Sequence, residues 1–375
     1  MRTPARGALA GLAVIGAVAA VVLATTPAQS TPAVSTLVLP SGAAFDSVER
    51  LGERLLISGY DNEGDGCRWL VVTPATLHVD ASLQASCERP AIATEPFVAV
   101  EFPLRSSNSF AVRIARPNAD AARVSYGPVV MTFPDVSDTA AEFAYGPGTL
   151  WIYDVAARQG AALRAEVLDV STTTGAVVRT VHLPKLYRPL LAADADGLWI
   201  ADSPEGGDSA PVPLYLLAPG ASRPRLVHHG GYAAFWLLAA GHTAWADIAS
   251  TTRHLYVIRQ EIWRFDGPSA SAHALAGGDE LTEPGPALAP GASSLWTISG
   301  VSNSGRSYSC HSQRVVRIDA RTGRQSVVAT LELPGQPCDP DPGVAYGGNA
   351  DAFADGAFYF LDDVGAASAL YRVEP

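Results

Sequence analysis

Four aspartates recur at similar positions within a repeated segment of the chain, and they are the residues best placed to do chemistry. Three of them come three positions after an aromatic residue, and the fourth comes two positions after Trp245. They are Asp154, Asp202, Asp247 and Asp362. Like charges held close together raise one another's pKa and attract cations, so such a group could serve a divalent metal, a cationic ligand or general acid–base catalysis. The alternative is structural, because aspartate at the end of a strand commonly caps a turn through its own backbone.

A second acidic pattern lies near the N-terminal end of the repeats. Asp61, Glu63 and Asp65 alternate before Gly66 and resemble the short calcium loops of extracellular proteins. An EF-hand is excluded, because its twelfth position needs a bidentate glutamate and is Val72 here. The loop is therefore a candidate calcium site, with a solvated turn as the alternative.

His228 and His229 are the candidate acid–base histidines. Neighbouring residues of a strand point to opposite sides, so at most one of them can face a shared site, and a solvated turn is the alternative. The sequence contains no G-x-S-x-G, H-E-x-x-H, phosphate-loop or G-x-G-x-x-G motif. A catalytic site would therefore have to combine residues that are distant in sequence.

The elements that position these residues are repeats of a turn followed by a strand with a bulky aromatic. Clear copies begin at residues 148, 197, 294 and 356, and looser ones lie at residues 52–58, 97–102 and 241–247. Seven copies at spacings of about 40–60 residues predict the four-stranded blades of an all-β, seven-bladed β-propeller. The loops after the second and fourth strands of each blade would then surround the mouth of the central channel and carry the four aspartates.

Hairpins follow the aromatic strands, and two of them contain a Thr-Gly pair, at residues 174–175 and 322–323. With the preceding Ile-Asp or Leu-Asp, they resemble the repeats of the YVTN/YncE-like propeller family, which read I-D-x-x-T-G-x-x-V-x-T-I. The resemblance covers two or three blades and implies the fold and no particular activity, because these repeats occur in proteins with unrelated roles.

The chain ends predict how the last blade is completed. The last repeat stops at its third strand, residues 369–373, whereas residues 35–40 have the T-x-x-L-P form of a fourth strand. We therefore expect the N-terminal strand, residues 35–40, to close the last blade and remove two free sheet edges.

Four cysteines in an exported chain predict two disulfides. Cys67 and Cys310 each precede a third strand, whereas Cys87 and Cys338 each follow a fourth strand. Because those two kinds of loop emerge on one face, of the three possible pairings we favour Cys67–Cys87 and Cys310–Cys338. Neither Cys-x-x-Cys nor Cys/His metal spacing occurs.

The first residues read as an export signal. Arg2 and Arg6 precede an uncharged apolar stretch, residues 7–24, and Ala28 ends a small-x-small cleavage site. We expect a signal peptide at residues 1–28 and a single propeller domain at residues 29–375. The apolar stretch is near the lower length limit for crossing a bilayer, so an uncleaved membrane anchor is the alternative.

Composition limits the partners. The net charge is −11, no run of basic residues occurs, and Lys185 is the sole lysine, which is typical of a G+C-rich bacterial genome. Nucleic acid is therefore excluded as a partner. We expect a secreted or cell-surface monomer that acts as a non-catalytic binding or scaffold module for a protein, glycan or small molecule. The alternative is a propeller hydrolase or lyase with an acidic site, using a divalent metal, at the channel mouth.

Overall fold

The computed structural model consists of antiparallel four-stranded sheets and one short 3-10 turn. It describes residues 32–61, 67–85, 89–92, 98–103, 109–118, 123–134, 142–156, 164–184, 186, 189–202, 211–231, 233–251, 257–267, 271–275, 287–302, 308–332, 352–364 and 367–375. All of the described residues belong to one compact unit, which begins at Pro32.

Six sheets consist of four strands that are consecutive in the chain, and we number them as blades 1 to 6. Blade 1 comprises β2 (Ala43–Leu51), β3 (Arg54–Asp61), β4 (Cys67–Thr73) and β5 (His78–Ala85). Blade 2 comprises β6 (Arg89–Ile92), β7 (Val98–Pro103), β8 (Ser109–Asn118) and β9 (Arg123–Pro134). Blade 3 comprises β10 (Glu142–Gly146), β11 (Thr149–Ala156), β12 (Arg164–Ser171) and β13 (Val177–His182).

The next three blades follow the same order. Blade 4 comprises β14 (Pro189–Asp194), β15 (Gly197–Asp202), β16 (Val212–Leu217) and β17 (Arg225–Gly230). Blade 5 comprises β18 (Ala233–Ala240), β19 (Thr243–Thr251), β20 (Val257–Asp266) and β21 (Ser271–Ala274). Blade 6 comprises β22 (Ala287–Leu288), β23 (Ser294–Ser302), β24 (Tyr308–Asp319) and β25 (Gln325–Glu332), with the 3-10 turn Pro290–Ala292 between the first two.

The remaining sheet, blade 7, is assembled from both ends of the described chain. It comprises β26 (Ala352–Ala354), β27 (Ala357–Val364), β28 (Ala367–Val373) and, in the fourth place, β1 (Val34–Val38). Leu37 lies opposite Leu370 in the antiparallel register of β1 with β28. The predicted bounds of the N-terminal strand, residues 35–40, need correction. The strand begins at Val34, and its last ladder bond is donated by Leu39 N to Ser368 O, because Pro40 has no N–H to continue the ladder.

First strands of neighbouring blades contact one another, so they form the inner ring around the axis. Between the blades lie seven hydrophobic clusters, one at each junction, including one shared by blades 7 and 1. Large aromatics of the second strands are buried there, as predicted: Trp151, Trp199, Trp245, Trp296 and Tyr359. This arrangement of four-stranded sheets around a central axis confirms the predicted all-β propeller.

The connections define two faces. The turns that join first to second strands, and third to fourth strands, lie at one end of the blades, and we call this end the turn face. The loops after second and fourth strands lie at the other end, which we call the loop face. Most residues of the loop face are outside the described ranges.

Candidate functional site

The four aspartates of the second strands occupy different positions relative to the strand ends. Asp202 is the last residue of β15, whereas Asp154, Asp247 and Asp362 lie inside β11, β19 and β27. The side chains of Asp154 and Asp362 are outside the described part of the structure. In register, Asp154 lies opposite Glu166, and Asp362 lies opposite Ala369.

The two aspartates whose side chains are described are buried at different blade junctions. Asp202 is 8% exposed and Asp247 is 1% exposed. Side chains alternate along a strand, so Asp202 shares the side of Ile200, which packs towards blade 3. Asp247 shares the side of Trp245, which packs towards blade 6. The structure therefore does not bring these two carboxylates together.

His228 and His229 lie on β17, the outermost strand of blade 4. The His228 ring packs against two aromatic rings of blade 5, with centroid distances of 4.8 Å to Trp263 and 5.5 Å to Phe265. Burial there, with a smaller contribution from His229, lowers the pKa of His228. His229 is exposed. His228 thus contributes to packing between blades 4 and 5.

The acidic loop and three of the cysteines cannot be placed. Asp61 is the last residue of β3, but its side chain, together with Glu63 and Asp65, lies outside the described residues. Cys67, the first residue of β4, is disulfide-bonded. Cys87, Cys338 and the side chain of Cys310 are not described. Both predicted pairings remain predictions.

Sequence reasoning missed a carboxylate and histidine cluster on the turn face, between blades 4 and 5. Asp194 ends β14 and Asp196 lies in the following turn, while His242 lies in the corresponding turn of blade 5. Nδ1 of His242 lies 2.7 Å from Oδ1 of Asp196 and donates to it. Asp194 Oδ1 accepts hydrogen bonds from Asp196 N at 2.8 Å and from Trp199 Nε1 at 3.3 Å.

The pKa values of Asp194 and His242 are both raised in this cluster. Burial raises the pKa of Asp194, and the charge of Asp196 raises it further, while the hydrogen bonds to Asp194 act in the opposite direction. The hydrogen bond and the charge of Asp196 raise the pKa of the exposed His242. Oδ2 of Asp194 and Oδ2 of Asp196 are buried and have no hydrogen-bond partner in the described part of the chain. The cluster therefore favours a protonated His242.

Other contacts on the turn face also join one blade to the next. Four side chains donate to a carbonyl in the hairpin between the third and fourth strands of the following blade. These bonds are Arg116 Nη2 to Thr172 O (3.2 Å), Arg179 Nη1 to Ala221 O (2.8 Å), Trp245 Nε1 to Ala320 O (2.8 Å) and Tyr359 Oη to Pro74 O (3.0 Å). The blades on this face are therefore joined by hydrogen bonds as well as by apolar packing.

A cleft of about 420 Å³ opens on the turn face between blades 5 and 6. Its blade 5 wall is formed by Ala240, Gly241, Thr243, Trp245 and Arg264, and its blade 6 wall by Gly291, Ala292, Ser293, Asp319, Ala320 and Arg321. Charged and hydroxyl groups from two blades thus surround a space large enough for a small ligand. Only the separate strands that carry these residues could be predicted; nothing in their local sequence marks the cleft.

Glu49 is a further ionisable group that sequence reasoning missed. It lies on β2, in the inner ring, and is half-buried. Burial raises the pKa of its carboxyl group to about 8. Glu49 is therefore mostly protonated at neutral pH, unlike an ordinary surface glutamate.

Within the described ranges, no group of three or more His, Cys, Asp or Glu side chains is arranged to hold a metal ion. The same part of the chain contains no helix long and apolar enough to cross a membrane.

Comparison with known proteins identifies the class of this protein as a β-propeller and goes no further. The structure is similar to hydrazine synthase of Kuenenia stuttgartiensis, with a TM-score of 0.56 and 13% identity over 89% of this chain and 97% of that chain. The β-propeller domain of the Trilobed protease from Pyrococcus furiosus gives a TM-score of 0.56 and 8% identity, over 87% and 93% of the two chains. Oligogalacturonate lyase in complex with manganese gives a TM-score of 0.52 and 11% identity, over 92% of this chain and 96% of that chain.

No family model matches the sequence, and no curated protein matches it. The resemblance to YVTN/YncE-like repeats is therefore supported for the fold and not for family membership. At these identities the structural likeness shows the fold alone, since propellers with unrelated activities share it.

Proposed function

We propose that this protein is an exported, non-catalytic binding module whose small-ligand site is the cleft between blades 5 and 6. The cleft carries the proposal because its hydrogen-bonding side chains come from two blades joined by the Trp245–Ala320 bond. Binding sites built on rigid elements hold their ligands without a large ordering cost.

The positions of the second-strand aspartates also support this assignment. Asp202 and Asp247 are buried at separate junctions, whereas a general acid and base must both reach one substrate. An open cleft with guanidinium and hydroxyl groups suits recognition, because such groups orient a ligand through hydrogen bonds.

The test separates binding from turnover. Residues 29–375 would be purified and screened by saturation-transfer NMR against small organic acids, dipeptides, and neutral and uronic-acid oligosaccharides. Each bound compound would then be incubated with the protein overnight, with and without manganese or calcium, and analysed by mass spectrometry. Binding with the compound recovered unchanged supports the proposal, and conversion of any bound compound contradicts it.

We further propose that export depends on residues 1–28. The basic N-terminal residues, the apolar stretch and the Ala28 cleavage site support this. N-terminal sequencing of the protein recovered from the culture medium should give a mature chain beginning at Gln29. Recovery of the intact chain in the membrane fraction would instead support an uncleaved anchor.

The calcium site proposed at Asp61, Glu63 and Asp65 rests on the sequence pattern. A structurally similar propeller, oligogalacturonate lyase, is known in complex with manganese, which supports the proposal of a divalent ion. Millimolar calcium should raise the Tm of residues 29–375 and should not raise that of a variant with Asp61→Asn, Glu63→Gln and Asp65→Asn. Equal Tm values of the unsubstituted chain in calcium and in EDTA would exclude the site.

A further inference from the structure

The cleft between blades 5 and 6 has one guanidinium group on each wall. Arg264 belongs to β20 of blade 5, and Arg321 belongs to the hairpin between β24 and β25 of blade 6. Asp319 is the sole carboxylate among the lining residues that the structure describes. The described residues that line the cleft therefore carry two positive charges and one negative charge, and Asp266, which does not line the cleft, pairs with Arg264.

Arg264 is held in place by an ion pair on the blade 5 wall. Its Nε donates to Asp266 Oδ1 at 2.8 Å, and its Nη2 lies 2.7 Å from the same oxygen. Nη1 has no partner among the residues that the structure describes. A guanidinium group fixed along one edge can donate from its remaining edge without a further loss of side-chain entropy.

Arg321 lies at the blade 6 lip, on a hairpin that Asp319 organises. Oδ1 of Asp319 accepts hydrogen bonds from Arg321 N at 3.1 Å and from Thr322 N at 2.7 Å, and it also accepts one from Thr322 Oγ1 at 2.8 Å. The Asp319 carboxylate is thus used within the hairpin, while the exposed side chain of Arg321 can reach a ligand.

The turns of both blades that line the cleft leave space above their glycines. A Cβ atom built on Gly241 or on Gly291 would meet no atom within 4 Å, so space remains above both turns. Thr243 and Ser293 add hydroxyl groups, one from each blade. A ligand lying in the cleft can therefore contact both walls at once.

We propose that the cleft binds a small ligand with at least two carboxylate groups, one paired with Arg264 and the other with Arg321. Arginine pairs with carboxylates through parallel, charge-assisted hydrogen bonds, which are stronger than neutral ones. The volume of about 420 Å³ lies within the range of small-molecule sites and admits a molecule the size of citrate. This inference rests on the proposed function, because it names the ligand class of the same cleft.

Isothermal titration calorimetry of residues 29–375 with citrate tests the inference. Arg321→Gln and Arg264→Gln should each weaken citrate binding by about tenfold or more, because each removes a charge-assisted pair. Arg324→Gln is the matched control: it removes the same charge from the same hairpin but lies outside the cleft, and its affinity should stay within about twofold of the unsubstituted chain. Because Arg321 is exposed, its variant should fold normally, and a thermal melt checks this.

Three results would overturn the inference: no citrate binding up to about 10 mM, equal affinities of the Arg321→Gln and Arg324→Gln variants, or inorganic phosphate binding as tightly as citrate. The two proposals fail separately. If the protein binds another compound of the screen without converting it, and does not bind citrate, the proposed binding function stands and the dicarboxylate ligand class is wrong. If the protein converts a bound compound, the non-catalytic function is wrong even if citrate binds.

Discussion

His242 Nδ1 and Asp196 Oδ1 lie 2.7 Å apart and join the turn of blade 5 to the turn of blade 4. His242 adopts a φ of 77°, a backbone conformation that side chains other than glycine rarely adopt. The chain therefore keeps a histidine in a strained turn, where it makes an ion pair with a largely buried carboxylate. The histidine side chain has a role at this junction that a glycine could not fill.

His242→Asn should lower stability mainly at acidic pH. Asp196 raises the folded-state pKa of His242, so the pair stabilises the fold fully below the unfolded value of about 6.5, and this contribution is lost as the pH rises through the raised pKa. Asparagine tolerates the positive φ, which keeps the turn comparable. The difference in Tm between the unsubstituted chain and the variant should be larger at about pH 5.5 than at about pH 9.

His78→Asn is the control for that experiment, since the side chain of His78 is exposed at the start of β5. Its Tm should follow that of the unsubstituted chain at both pH values. A His242→Asn effect that is the same at acidic and alkaline pH would show that the ion pair does not stabilise the junction.

Gly197→Ala should destabilise the fold far more than Gly220→Ala. Both glycines have positive φ, 125° for Gly197 and 74° for Gly220, so both changes carry the strain of a left-handed residue, about 1 kcal/mol. A Cβ on Gly197 would also lie 2.1 Å from Leu217 O, whereas one on Gly220 would meet nothing within 4 Å. Urea unfolding should show an additional loss of about 2–3 kcal/mol for Gly197→Ala. Equal losses would mean that β15 and β16 can separate without cost at this point.

The aromatic strands were predictable because each repeats a local pattern: a turn residue, an apolar pair and a bulky ring that must be buried. The hairpins around Gly175 and Gly323 followed from turn chemistry in the same way, and they join β12 to β13 and β24 to β25. The sites were less predictable. Asp194, Asp196 and His242 lie on two blades, and local sequence shows neither which turns meet across a junction nor which side chains are desolvated there.

The burial of individual carboxylates could not be predicted for a related reason. Asp202 and Asp247 follow aromatic residues at similar distances, yet alternation along β15 and β19 turns them towards different junctions. A shift of one residue relative to the aromatic reverses the direction of the side chain. Spacing of two or three residues therefore did not define one shared site.

Glu49→Gln should stabilise the protein at alkaline pH. The pKa of Glu49 is about 8 in the fold and about 4.5 in the unfolded chain, so the folded state holds the proton more tightly and stability falls as the pH rises from about 4.5 to about 8. Glutamine is neutral throughout and does not pay this cost. The gain at about pH 9 should be about 2 kcal/mol, allowing for the partial exposure of Glu49, and close to zero near pH 4. Denaturant unfolding at both pH values measures it, and a gain that does not depend on pH would contradict a buried, protonated Glu49.

Trp245→Phe should lower the free energy of unfolding more than Trp296→Phe does, although both substitutions remove a buried indole N–H and the same volume. Trp245 Nε1 donates 2.8 Å to Ala320 O in the next blade, whereas Trp296 Nε1 donates 2.9 Å to Ser294 Oγ within its own blade. Loss of the first bond leaves a backbone carbonyl at the blade 5–6 junction without its donor, which costs about 1–3 kcal/mol. Loss of the second leaves a hydroxyl that can rotate towards another partner. Chemical denaturation of the two variants measures the difference. Ala320 also lines the cleft, so Trp245→Phe should weaken citrate binding, whereas Trp296→Phe should leave it unchanged. If the two variants had equal stabilities and equal citrate affinities, the Trp245–Ala320 bond would neither stabilise the junction nor shape the cleft.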